Sequence, residues 1–560
     1  MVQIHLQSWV GQHPIAAAVA LLLTYFVIDF CWKGYKIRSR FRNLPGPPHH
    51  WVWGHIPILL ELLKEIPINA SSLYYADLLR EKYNLGDIFY FDLWPIGMQF
   101  LMILDPDITK QIIVRKPTHK NSMLKLFMRF LVGSHDNLLS ADGHTWMKLR
   151  RIFNPGFASS HLSTMIPGIV EETEIFSKTL EEYAQKERAF RLDETATLLT
   201  IDVIGRLILD TQLHSQTAPN ELTSAIISQV AWIPQARPTR PWEIFNPTFL
   251  VMMWRNNRKM DAYISDILEK RFAEQRADRT KGRNVMDLAL DAYGKGKGQS
   301  EEALPSVPLD PGFKRDAICQ AKTFMFAGHD TISGTLCYAY YLLHKNPDKM
   351  AKLRAEHDEV LGTDEAEAGK LITAQPNILN KLEYTLCVLK ETLRLYPPAS
   401  TLREGNKNLF ITDPVTGASL PTEDFAVSPI TIGMQRHPKH FPNPHAFIPE
   451  RFLPRDGPDG QKFSDSSNLA YLPFSKGPRI CIGQELAITE MKIVLAMTVR
   501  KFDIRSAFED LKLLKGGPGC WPSDESGIQK VYGDEAYQIM MGSAKPREGM
   551  PARVSVRKQG

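Results

Sequence analysis

The stretch "PFSKGPRICIGQ", residues 473–484, limits what this chain can become more than any other. It places one cysteine, Cys481, among Pro473, Gly477, Pro478 and Gly483, with Arg479 two positions before it. A zinc site would want further Cys or His ligands close by, and the stretch supplies none. A packed core thiol is ordinary but has no use for so much turn chemistry. Gly477 and Gly483 let the backbone approach a large flat ligand, Phe474 can pack on it, and Arg479 can pair with a carboxylate. A thiolate in such a place needs a metal ion and backbone N–H groups to stabilise it. The helical pattern after Gly483 offers its positive N-terminal end.

The other cysteines, Cys31, Cys319, Cys337, Cys387 and Cys520, are scattered without a CxxC pair, which suits a reducing compartment. At 560 residues the chain exceeds the usual single-core range, so length alone predicts several domains. A net charge of +5 over that length is too dilute for nucleic acid.

The positive charge gathers after an apolar run at residues 14–32, where Lys33, Lys36, Arg38, Arg40 and Arg42 follow with no acid among them. A run of this length spans about one bilayer core, and a cleaved signal would carry its charge on the other side. The pattern predicts a retained single-pass anchor over residues 1–33, with the body on the basic, cytosolic side of the endoplasmic reticulum or an equivalent membrane. Residues 34–50 read as a basic, Pro-rich linker in which "LPGPP" is a stiff connector, and residues 51–560 as the body.

Between residues 51 and 400 helical periodicity dominates, with segments at 159–184, 192–209, 254–275, 313–343, 349–361 and 379–395. Short strands and hairpins are predicted over 401–435, and a closing hairpin over 536–557. Residues 294–312 read as a polar surface loop, and the Pro- and aromatic-rich residues 234–249 as a loop at an entrance or a membrane face.

"FSKGPRICIG", residues 474–483, resembles the cysteine-ligand loop of cytochrome P450 monooxygenases, with Phe474, Gly477, Arg479, Cys481 and Gly483 at the family spacing. Three companions occur in the family order. "AGHDT" carries Ala327, Gly328, Asp330 and Thr331; "KETLRL" carries Glu391 and Arg394, with Arg451 from the later "PERF"; and "WMKLR" carries Trp146 and Arg150. Arg403 matches more loosely, and Ile332 stands where many relatives have a second Thr or a small polar residue.

The resemblance implies a mainly α fold with small β-sheets, the cytochrome P450 fold, preceded here by an N-terminal transmembrane helix. It also implies one large body instead of several domains. Cys481 would ligate the iron of haem b. Trp146, Arg150, Arg403 and Arg479 would hold the propionates, with Phe474, Gly477 and Gly483 beside the ring. Ala327 and Gly328 would leave room for dioxygen, and Asp330 and Thr331 would relay protons. Glu391, Arg394 and Arg451 would brace the cysteine loop. Electrons would come from NADPH through a membrane NADPH-cytochrome P450 reductase, docked on a basic face that includes Lys148, Arg151 and Lys476. O2 and a lipophilic small molecule would be the substrates, in secondary-metabolite biosynthesis or, alternatively, fatty-acid or alkane hydroxylation. A non-catalytic haem-binding protein is the reading from another class. The apolar residues 123–133 suit a lipophilic substrate.

Overall fold

The structure, a computed structural model, describes residues 14–115, 118–134, 136–233, 246–277, 284–296, 310–453, 469–514 and 529–557. Cys520 and most of both loops singled out above, residues 234–245 and 297–309, lie outside the described residues.

The first helix, Pro14–Arg40, is long and apolar enough to cross a membrane and is exposed along most of its length. It runs seven residues beyond Lys33, so the first part of the expected linker is helical. The reason is a joint with the body. Arg38 is buried and bonds to Asp92 and to the carbonyl of Trp94, while a Cβ at Gly34 would stand 2.9 Å from the Trp94 ring. "LPGPP" is also packed instead of spanning a gap, since the Tyr90 N–H donates to the Pro45 carbonyl at 2.8 Å.

Helices dominate the body. Segments 159–184 and 192–209 appear as Ser159–Gln185 and Leu192–Leu209, and 313–343 as the longer Pro311–Lys345. Segment 379–395 divides into a 3₁₀ turn, Pro376–Lys381, and the helix Glu383–Leu395. Asp310 caps the 35-residue helix Pro311–Lys345 by accepting the Phe313 N–H at 2.8 Å, and Pro311 suits its first turn. This helix is buried over most of its length against Leu192–Leu209, itself buried nearly all round. Among the described residues, core residues drawn from Leu138 to Val554 pack in one large cluster, beside smaller ones.

The small sheets place segments far apart in sequence. The hairpin Ile88–Asp92 with Gln99–Ile103 arises where helical periodicity was read. Its second strand runs parallel to Ala426–Pro429, which in turn pairs with Arg403–Glu404. The expected C-terminal hairpin is Gln538–Met541 with Ser543–Pro546, turning at Gly542, whose φ of 81° suits glycine. The last strand, Pro551–Val556, belongs to a separate sheet with Phe190–Arg191 and Phe502–Ser506.

Candidate active site

Three elements meet around Cys481. The loop before it is pinned by the Cys481 N–H donating to the Phe474 carbonyl at 3.0 Å. Gly477 adopts φ 75°, and a Cβ there would lie 3.0 Å from the Ile113 carbonyl, so glycine is required twice over. A Cβ at Gly483 would meet nothing within 4 Å, which leaves a flat face beside the sulfur. The helix Gln484–Thr498 starts immediately after.

The thiol is accessible to water yet deep within the body, as a group lining an internal cleft would be. Burial pushes its pKa up, while the Gly483 N–H and the Arg150 guanidinium act in the opposite sense and favour thiolate. Arg150 donates to the Ile480 carbonyl at 2.9 Å. Its charge therefore acts on the sulfur loop.

A cationic cluster lies beside this loop. Arg479 stacks on Trp146, with the guanidinium carbon 4.2 Å from the ring centroid, and pairs with Asp142 at 2.9 Å. Lys125 reaches the same carboxylate at 2.9 Å, and the Lys120 N–H donates to it at 3.1 Å. The Lys120 segment is held in place by a β-bridge to Arg403. Burial and the charges of Arg403 and Arg479 depress the Lys120 ammonium to about 7. Burial also lowers Arg479, to about 10. Burial alone would raise the Asp142 carboxyl, but Lys125, the Lys120 N–H and Arg479 prevail and hold it below the usual range.

Asp142 occupies the N-cap position of the helix Gly143–Phe153 but caps none of its N–H groups, because its carboxylate serves these cations instead. Lys125 and Arg479 thus pair with one carboxylate, whose charge also acts through space on Lys120 and Arg403. Arg403 is 1% exposed and its Nε and Nη2 have no partner, nor has Arg479 Nη1 or the hydroxyl of Thr118. Orphaned buried donors around an excess of positive charge fit an anionic ligand edge such as a pair of carboxylates. Sequence reasoning missed Lys120 and Asp142. Asp142 lies one helical turn before Trp146 and was within reach of a spacing argument; Lys120 carries no motif signal.

On the far side, Thr331 Oγ1 donates to the Ala327 carbonyl at 2.8 Å within a helix that continues unbroken. A Cβ at Gly328 would stand 3.0 Å from the Ile204 side chain, so glycine at this position also permits close helix packing. Ala327 and Thr331 are half-buried, whereas Asp330 is buried and turned to the C-terminal hairpin. One turn earlier Phe326 joins an apolar cluster with Met128, Val132 and Val230, against which Phe127 and Phe130 pack.

The bracing triad is present. Arg394 bonds both oxygens of Glu391 at 2.7 and 2.8 Å, and Arg451 reaches Glu391 at 3.4 Å, all three being buried. Lys148 lies 3.6 Å from Asp316 at the surface. Among the described residues no cysteine is disulfide-bonded, and no group of three His, Cys, Asp or Glu stands ready for a metal.

The family model described as Cytochrome P450 matches residues 44–517. Cytochrome P450 monooxygenase polC of Polytolypa hystricis is 35% identical, over 98% of this chain and 96% of the relative. Cytochrome P450 monooxygenase acrF of Aspergillus aculeatus is 37% identical, over 85% and 96%. Among solved structures, a cytochrome P450DA heme domain superposes with a TM-score of 0.68 at 20% identity, covering 92% of this chain and 98% of that one. The lone sulfur, the flat glycine face beside it and the orphaned cationic edge fit a haem with its two propionates. The chain belongs to the cytochrome P450 family and is a haem-thiolate monooxygenase.

Proposed function

We propose that this protein oxidises a lipophilic small molecule in secondary-metabolite biosynthesis, attached to the endoplasmic reticulum membrane with its body on the cytosolic side. Electrons then come from NADPH through the membrane reductase. The observation that carries the lipophilic substrate is the apolar cluster of Phe127, Phe130, Val230 and Phe326, the last of which immediately precedes Ala327 in the helix Pro311–Lys345. The two curated relatives quoted above are fungal monooxygenases, which supports the secondary-metabolite reading. The apolar first helix supports the membrane reading.

Bound haem iron supplies O2 activation and insertion of one oxygen atom into substrate. The chain's own residues do the rest. Cys481 ligates the iron, with the Gly483 N–H and Arg150 favouring the thiolate. Arg403, Arg479 and Lys120 hold the anionic edge, with Trp146 supporting Arg479. Phe127 and its neighbours exclude water. Asp330 and Thr331 hold and move protons.

The test has two stages. The reduced, carbon-monoxide-bound difference spectrum of full-length protein in membranes is expected to be of the thiolate type and to be lost in Cys481→Ser; its survival there would displace Cys481 as ligand. Turnover with purified reductase, NADPH and a panel of terpenoid, polyketide, fatty-acid and alkane substrates then assigns the class. Product from fatty acids or alkanes alone would overturn the secondary-metabolite reading.

A further inference from the structure

A row of buried tyrosines lies between the helix Pro311–Lys345 and the end of the helix Glu383–Leu395, and the reaction described above uses none of them. The rings of Tyr338 and Tyr396 stack with their centroids 3.9 Å apart and their planes 5° from parallel. That is closer than the roughly 4.5–7 Å of ordinary aromatic pairs. The Tyr396 hydroxyl donates to Asp534 Oδ2 at 2.5 Å, and the Tyr341 hydroxyl donates to the other oxygen of the same carboxylate. Tyr341 in turn accepts from Lys345 Nζ at 2.9 Å. The three tyrosines are at most 4% exposed, whereas the Lys345 side chain is 48% and the Asp534 side chain 23% exposed.

The row has an inner and an outer end. Tyr338 stands two helical turns beyond Thr331 on the same helix face. Tyr396 follows Arg394 of the bracing triad by two residues, and the chain then runs on to Arg403 of the cationic edge. The stacked pair is thus joined on both sides to segments that build the haem site, while Tyr341 lies beneath the exposed Lys345. The two stacked phenols differ in what they can do with a proton. The Tyr338 hydroxyl has no hydrogen-bond partner, and burial raises its pKa well above the usual value. Tyr396 has an acceptor: burial alone would raise the Asp534 carboxyl, but the bonds from Tyr341 and Tyr396 hold it below the usual range, so it stands ionised. The Arg436 guanidinium, 5.2 Å from the Tyr396 ring centroid, opposes positive charge on that ring, so an electron leaves Tyr396 together with its proton. Phenylalanine would fill the same space; packing has no use for two hydroxyls on one carboxylate.

We propose that Tyr338, Tyr396 and Tyr341 form an electron path that quenches an oxidising equivalent left at the haem when no substrate consumes it. Tyr396 gives one electron to the haem through the stacked Tyr338 ring and its proton to Asp534 Oδ2, which leaves a neutral tyrosyl radical. One electron then passes from Tyr341 to Tyr396, the Oδ2 proton returns to Tyr396, and the Tyr341 proton moves to Oδ1. Tyr341 is restored by that Oδ1 proton and by one electron from a small reductant at the surface, ascorbate or a thiolate. The net step oxidises the reductant by one electron and reduces the haem by one. The path requires the haem and no assignment of substrate.

The test mixes full-length, detergent-extracted protein, free of substrate, with peracetic acid, which oxidises the haem without reductase. Freeze-quenched electron paramagnetic resonance reads the tyrosyl radical, and loss of Soret absorbance reads haem destruction. Wild type is compared with Tyr396→Phe, Tyr338→Phe and Asp534→Asn. Tyr340→Phe is the control, since Tyr340 is buried two residues from Tyr338 but bonds Thr498 instead of Asp534. The carbon-monoxide spectrum and thermal midpoint check each fold, and Asp534→Asn, which keeps every ring, carries the comparison should Tyr396→Phe fail to fold. The proposal expects a tyrosyl radical in wild type that ascorbate quenches. It expects a severalfold weaker signal and severalfold faster haem loss in Tyr396→Phe, Tyr338→Phe and Asp534→Asn, with wild-type behaviour in Tyr340→Phe. No tyrosyl signal in wild type beside a normal carbon-monoxide band would overturn it, as would a signal and a rate of haem loss that these three variants leave unchanged.

Discussion

Replacing Arg394 by Met tests the bracing triad most severely. Its guanidinium bonds both oxygens of Glu391 and donates to the carbonyls of Gln435, Pro444 and Ala446. Removing one partner of a buried ion pair costs about 4 kcal/mol. Each carbonyl left without a donor adds about 1 kcal/mol, so the three together bring the loss to about 7 kcal/mol. Total stability of a folded protein is on the order of 5–15 kcal/mol, so little native, haem-loaded protein should accumulate. Glu391→Gln keeps the shape and an acceptor oxygen while Arg394 keeps its three carbonyls, and should cost less than Arg394→Met. Arg451→Met breaks the 3.4 Å contact to Glu391, longer than either bond from Arg394, and the 2.9 Å bond to the Asn443 carbonyl, and should cost least. The assay is urea denaturation of membrane-extracted protein, followed by loss of the thiolate-type carbon-monoxide band. An Arg394→Met variant that accumulates normally with an unchanged midpoint would refute the reasoning, as would a reversed order of the three.

Three further predictions concern single groups. Arg403→Met leaves the cationic edge without its most buried member, and should speed haem transfer to apomyoglobin several-fold while the carbon-monoxide band keeps its position; unchanged transfer would take Arg403 out of the anion site. Glu490 is buried, with one carboxylate oxygen lacking a partner, and burial raises its pKa well above the usual carboxylate range. The folded state therefore binds this proton more tightly than the unfolded chain, so the contribution is greatest below the unfolded carboxylate pKa and is lost as pH rises towards the folded value. Glu490→Gln should gain stability relative to wild type across that window, measured as denaturation midpoints between about pH 5 and pH 8; parallel curves would show Glu490 to be satisfied. Arg38→Met leaves Asp92 buried without its guanidinium, so proteolysis between the first helix and the body should accelerate, and an unchanged rate would mean that the Gly34–Trp94 contact suffices.

What the sequence made legible follows from how local each signal is. The cysteine loop, the Glu391–Arg394 spacing and the long helices are written within a few turns of chain, where period and turn residues speak directly. Lys120 acquires its meaning only from Asp142, 22 residues on, and from the far more distant Arg403, and no pattern within its own segment marks it. The strands Ile88–Asp92 and Gln99–Ile103 escaped because both are largely buried, so neither shows the polar alternation that betrays a half-exposed strand.

The joint at Gly34 and Arg38 turns the first helix into a lever. A helix on a loose tether would leave the body free to roll, but one whose arginine is buried beside Asp92 transmits its tilt. On the membrane reading proposed above, a change in bilayer thickness becomes a change in the body's angle, and with it the height above the lipid at which every surface feature is presented. On that reading lipid composition adjusts how this enzyme meets the reductase proposed as its electron donor, without touching a residue of either.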